Sequence, residues 1–260
     1  MCEIKSLGNL ENIGKNASFC SSGVTSLGGL KNIGGNADFE YSEITDLSDL
    51  EAIGGSAIFR NSKLKSLNNL QSIALGADFR YSDVLNLGKL KIIGRNADFS
   101  DSKVTISDNL ETIGGNADFR NSQLTNLDSL IHIKGSADFR DSNITSLANL
   151  EDIGKDADFR YHNCKLTAVL KLKIIAGKAN FYKSNVKDLP NLEVIGQDAD
   201  FRYSAATNIP NLKSIGGEAL FYGSNITDIP SLEYIGRDAY INSGMTENML
   251  KGIVRGKILK

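Results

Sequence analysis

One tripeptide recurs along this chain at a nearly fixed interval, and it limits the fold more than any other feature. Ala-x-Phe places its alanine at positions 17, 37, 57, 77, 97, 117, 137, 157, 179, 199, 219 and 239. Every step is twenty residues except one of twenty-two, between Ala157 and Ala179, and the last copy carries Ile241 in place of phenylalanine. A fixed period of this size marks a stack of small repeated units rather than a globule.

With the alanine as position 4 of a unit, phenylalanine is position 6, and position 9 is serine in ten of twelve units. Position 11 is mostly Ile, Leu or Val, as in Leu124 and Ile144. Leucine dominates positions 14 and 17 (Leu127 and Leu130), isoleucine fills position 20 (Ile133), and glycine usually opens the next unit. The period of two across positions 4 and 6 belongs to a short strand with one buried face. The later spacing of three is too open for a strand, and the unit is too short for a strand, two turns and a full helix. Each unit is therefore expected to form one coil: a strand, a turn at serine, and a tightly turned return. No coil buries its apolar side alone, so neighbours must stack, and stacking aligns the phenylalanines into a spine.

The run from Ala117 to Leu130, A-D-F-R-N-S-Q-L-T-N-L-D-S-L, resembles the leucine-rich repeat. That signature is L-x-x-L-x-L-x-x-N-x-L followed by L-x-x-L. Leu189-Pro190, Ile209-Pro210 and Ile229-Pro230 are similar to the L-P-x-x-L of short bacterial repeats, and the L-x-x-I-G-G pattern is similar to bacterial and phage-borne repeats. The resemblance covers essentially the whole chain. It implies a right-handed coil of about 12 units, mainly β, with one parallel sheet on a concave face. Alanine at position 4 implies a slimmer coil, and serine replaces the asparagine whose amide normally bonds the turn. A rival architecture fits the first half of each unit: A-D-F-R-N-S-Q-L also reads as two pentapeptide repeats, which would give a quadrilateral β-helix. The second half, with its spacing of three, does not keep a period of five.

The repeat organises the chain as a solenoid over residues 1–244, with a longer unit at 157–178, followed by an expected capping helix over 245–260. Thr246 suits a helix cap. Met249, Leu250, Ile253 and Val254 would share one face of that helix. The longer unit holds His162 and Cys164, too few ligands for a zinc site, so a bulged turn is expected there and no metal or cofactor.

Composition narrows the function classes. The formal net charge is -2, which gives no electrostatic case for nucleic acid. Three scattered cysteines, Cys2, Cys20 and Cys164, read as reduced thiols of a cytoplasmic protein. No apolar leader follows Met1 and no run reaches the roughly 18 apolar residues of a membrane span. Delivery into another cell stays open, and a monomer is expected. No enzyme is expected either: the two histidines, His132 and His162, lie on different units, and no nucleophile elbow, phosphate loop or metal motif occurs.

In the family that the repeat resembles, positions 3, 5, 7 and 8 face solvent along the strand. Position 5 is aspartate in seven units, including Asp78, Asp118, Asp138 and Asp158, and position 7 is arginine in six, including Arg80, Arg120 and Arg140. Two columns of opposite charge side by side read as a self-neutralised surface, or as a track for an anionic partner or a mimic of one. Position 8 adds Tyr81 and other tyrosines. The pattern breaks in the last third. There, Arg160, Tyr161, Tyr182, Lys183, Arg202, Tyr203, Leu220, Tyr222 and Tyr240 form the candidate partner-binding face. Tyrosine and arginine dominate interface hot spots, and an apolar patch rimmed by polar groups suggests a partner. The expected function is thus a non-catalytic scaffold for a macromolecular partner, one form of which is a bacterial or phage-encoded inhibitor or effector. Nucleic-acid binding or mimicry and a structural or adhesive surface repeat are the alternatives.

Overall fold

The computed structural model describes residues 4–160 and 164–260. The chain is a parallel-strand β-solenoid of about twelve coils with almost no helix. It divides into two compact units, Met1–Leu130 and Ile131–Lys260, each with its own stack of coils.

Every coil gives one short strand to each of two parallel sheets, where a single sheet was expected. In the first unit, strands at positions 19–20 run from Asn12–Ile13 to Thr112–Ile113, and strands at positions 4–5 run from Ala17–Ser18 to Ala117–Asp118. The second unit repeats this from His132–Ile133 to Tyr234–Ile235 and from Ala137–Asp138 to Ala239–Tyr240. The extra sheet has a local cause. Position 20 points inward, position 19 points outward, and the chain bends at positions 1–2, so the two residues before the bend form a ladder of their own. Gly54 N–H donates to the Ile33 carbonyl at 2.7 Å on that side, and Phe59 N–H to the Asp78 carbonyl at 2.8 Å on the other. The longer unit does not disturb register, because Ala157 still pairs with Ala179.

Two turns fold most of the coils among the described residues. At the first, the position-9 N–H donates to the phenylalanine carbonyl, as from Ser62 to Phe59 at 3.1 Å and from Ser184 to Phe181 at 2.9 Å. At the second, position 17 donates to position 14, as from Leu70 to Leu67 at 2.9 Å. Pro190 and Pro210 sit second in this turn, where the fixed φ of proline costs nothing.

The inward positions 4, 6, 11, 14, 17 and 20 form the core. The phenylalanine rings stack face to face in each unit. Centroids are 4.8 Å apart for Phe79 and Phe99, and 4.9 Å for Phe159 and Phe181. Most position-9 serines are also buried; Ser142 Oγ donates to the Phe139 carbonyl at 2.8 Å and Ser184 Oγ accepts the Val186 N–H at 3.1 Å, whereas the hydroxyls of Ser42, Ser62 and Ser82 are buried without a hydrogen-bond partner.

Neighbouring coils also interlock through side chains. Asn36 Oδ1 accepts the Ser56 N–H at 2.8 Å, and Asp198 Oδ1 accepts the Glu218 N–H at 3.0 Å. This oxygen occupies the space of a Cβ at position 2 of the next coil: a methyl on Gly55 would lie 2.2 Å from Asn36 Oδ1, and one on Gly217 2.1 Å from Asp198 Oδ1. The seven coils with Asn or Asp at position 3 are each followed by glycine at that place, and the five with another residue never are.

The expected helix over 245–260 is reduced to Glu247–Leu250. Gly252, at φ 86°, breaks it, and glycine in a helix interior costs about 1 kcal/mol. Ile258–Leu259 then adds a strand to the second sheet beside Ala239–Tyr240. Lys257 N–H bonds Asp238 Oδ1 at 2.8 Å, and Gly256 fills the place that this oxygen demands. The segment is thus the start of a further coil. Leu250 is buried and Met249 exposed, so the predicted apolar face is not formed as a unit. Among the described residues no helix is long and apolar enough to cross a membrane.

Candidate functional site

The outer face of the second sheet carries positions 3, 5 and 7, and its charges are spent on one another. Asp78 accepts the backbone N–H of Arg80 at 3.1 Å, and Arg80 folds back onto the same carboxylate at 2.7 Å. Arg80 also lies 3.3 Å from Asp98 on the next coil. Burial alone would raise the Asp78 pKa; the hydrogen bonds from Arg80 outweigh it and hold the carboxyl below its usual range. The same motif joins Arg120 to Asp118 at 2.5 Å, Arg140 to Asp138 at 2.6 Å and Arg160 to Asp158 at 2.6 Å. Arg140 reaches onward to Asp158 at 3.5 Å. The two charged columns are one lattice of internal pairs, with arginines held flat along the sheet. Tyr81 stands at its edge, exposed.

The other ladders use the same device. At position 18 lysine and glutamate alternate except at Gln71 and Ile131, and Lys31–Glu11, Lys173–Glu151 and Lys213–Glu193 pair at 3.2, 3.0 and 2.7 Å.

The Asp–Arg pattern, already interrupted at Ile58 and Ser100, gives way again at Asn180 and Tyr182. Asn180 Oδ1 still accepts the Tyr182 N–H at 3.1 Å, so the turn survives without its charge pair. From here the tyrosines meet. The Tyr182 and Tyr203 rings are 6.0 Å apart at 84°, and Tyr203 and Tyr222 are 5.6 Å apart at 87°. Arg202, paired with Asp200 at 2.7 Å, also covers the Tyr182 ring at 5.4 Å, as Lys183 does at 5.3 Å. Gly223 takes φ 69°, and a Cβ there would meet the Tyr203 ring at 2.5 Å, so glycine lets that ring lie against the next turn.

Leu220 stands between Asp200 and Tyr240 in the ladder. With Arg202, Glu218 and Tyr222 it lines a depression of about 370 Å³. A larger groove opens on the other side of Tyr222, of about 1110 Å³, against the segment from Asn242 to Asn248.

The structure therefore brings together Tyr182, Lys183, Arg202, Tyr203, Leu220, Tyr222 and Tyr240. Arg160 belongs instead to the charge lattice, through Asp158. Tyr161 and His162 lie outside the described residues, as does Cys2. Cys164 is buried, and burial pushes its thiol pKa up.

Sequence reasoning missed the groove wall: Asn242, Met245 and Glu247. Asn242 stands where arginine stands in other coils. It donates to the Ser224 and Ile226 carbonyls at 3.2 and 2.6 Å and accepts the Gly244 N–H at 2.8 Å, which fixes the wall. Another grouping lies far off in sequence, where Cys20, Asp38 and Glu40 hold potential ligand atoms within 4.8 Å of one another. Asp38 there already accepts the Glu40 N–H at 2.9 Å, and Glu40 lies 3.7 Å from Arg60.

The fold defines the chain as a parallel-strand β-solenoid with an irregular aromatic face near residue 222. Set against family models, curated proteins and solved structures, the chain finds no match in any of the three comparisons.

Proposed function

We propose that the chain is a non-catalytic scaffold of leucine-rich-repeat type that binds a protein partner through the tyrosine cluster and Leu220. The observation that carries this reading is the asymmetry of the face. Where the charge lattice runs, from Asp78 to Arg160, most coils repeat the Asp–Arg pair and satisfy its charges internally. From Asn180 onward, apolar and aromatic groups replace the pairs in every coil but that of Asp200 and Arg202, and leave Tyr203 and Tyr222 half exposed. Keeping a sheet soluble does not require this exchange, whereas partner binding uses it. A bacterial or phage-encoded inhibitor or effector of a target protein is the form that the repeat resemblance favours.

Affinity capture from native lysate with mass spectrometry tests the reading. Wild type is compared with Tyr182→Ala/Leu220→Ala/Tyr222→Ala, checked for folding by circular dichroism. A partner retained by wild type and lost by the folded variant is the expected outcome. Equal capture by both would remove the site from this face.

A further inference from the structure

Cations already cover one ring of the cluster, Tyr182, and leave the two rings at the groove, Tyr203 and Tyr222, uncovered among the described residues. Lys183 and Arg202 cover Tyr182, and the Arg255 guanidinium lies 5.8 Å from the Tyr234 centroid. Among the described residues, no cation of the chain lies over Tyr203 or Tyr222, although these rings are 50% and 53% exposed. Held near-perpendicular at 5.6 Å, the two rings meet in a corner that lines the groove.

A carboxylate stands in the same groove. Glu247 Oε1 holds Lys260 Nζ at 3.3 Å, with both side chains largely exposed. The chain's own ammonium thus already pairs with the carboxylate that lines the groove. So exposed a pair is weak enough to exchange for a better one. Buried Met245 supplies an apolar floor, and Asn242 holds the wall in place.

We propose that this groove receives an arginine side chain of the protein partner. The guanidinium stacks in the Tyr203–Tyr222 corner and pairs with Glu247, displacing Lys260. Arginine fits better than lysine because its planar fork stacks on aromatic faces and pairs with a carboxylate through two N–H groups. The inference rests on the partner-binding reading and supplies the chemistry of the anchor.

The test uses the full, isotopically labelled chain and acetyl-Gly-Arg-Gly-amide as probe in an NMR titration. The neutral citrulline tripeptide and the lysine tripeptide are the controls. Saturable shifts at Gly223, Asn242 and Glu247 are expected with arginine, several-fold weaker with lysine and lost with citrulline. Glu247→Gln should weaken binding about two- to fivefold, and Lys260→Gln should strengthen it about two- to fivefold by removing the competitor. An equal response to citrulline, no response to arginine, or indifference to both substitutions would overturn the proposal. The probe needs no partner, so its outcome stands apart from the capture experiment. Partner loss in the triple variant with no arginine response would overturn the anchor alone. Partner capture insensitive to the triple variant would overturn the binding face.

Discussion

The oxygen of Asn or Asp at position 3 and the glycine at position 2 of the next coil occupy one another's space. Asp198 and Gly217 are such a pair, whereas Ser136 is followed by Lys155 and Ser56 by Leu75. Gly217→Ala should therefore destabilise the chain by about 1–3 kcal/mol, the range for an unrelieved steric conflict. Adding Asp198→Ser should recover part of that loss. A double-mutant cycle by urea denaturation would read a coupling of about 0.5–3 kcal/mol, and strict additivity would contradict the interlock. The same aspartate carries a pH signature. The Glu218 N–H is the largest influence on Asp198; with Lys178 at 3.0 Å it outweighs burial and holds the carboxyl below its usual range. A lowered folded pKa contributes stability above the unfolded value, near 3.9, and that stability is lost as pH falls through the folded one. Asp198→Asn keeps the hydrogen bond, as Asn36 does, but has nothing to titrate. Urea midpoints between pH 6 and pH 2 should fall less for this variant than for wild type, and parallel curves would refute the assignment.

At the scale of the coil, the inward set was legible because it repeats: alanine, phenylalanine and the spaced leucines and isoleucine lie in the core from Ala17 onward. The sheet at positions 19–20 was not legible. Its strands are two residues long, too short to display a period of two, and only position 20 is regularly apolar. Ile253 to Lys260 hid for another reason. Ile258 replaces alanine and pairs with Ala239 after a step of nineteen residues, so the marker tripeptide is absent and the apolar spacing imitates a helix. Gly256, placed behind Asp238, was the available signal. Energetics at this scale follow from stacking between nearest neighbours. Phe181 lies 4.9 Å from both Phe159 and Phe201, fully buried, so Phe181→Ala should cost about 3–5 kcal/mol in a urea titration. A cost below about 1 kcal/mol would mean that the spine does not hold the coils together.

For the molecule as a whole, repetition and its interruption have different uses. A column of like charges along a parallel ladder is destabilising, and the alternating and diagonal pairs offset it without help from a partner. The tyrosine cluster was legible as a departure from that rule. Its groove was not, because Met245 and Glu247 come from a segment that read as a helix and Asn242 looked like an eroded repeat. The central claim is that binding resides in the departure and not in the repeat. The most direct measurement restores the repeat: Asn180→Asp, Tyr182→Arg, Leu220→Asp and Tyr222→Arg together extend the charge pairs through the cluster. Partner capture by this regularised chain is then compared with wild type, with folding verified by circular dichroism and thermal denaturation. A folded chain that captures no partner is the predicted result; a folded chain that still captures it would contradict the account.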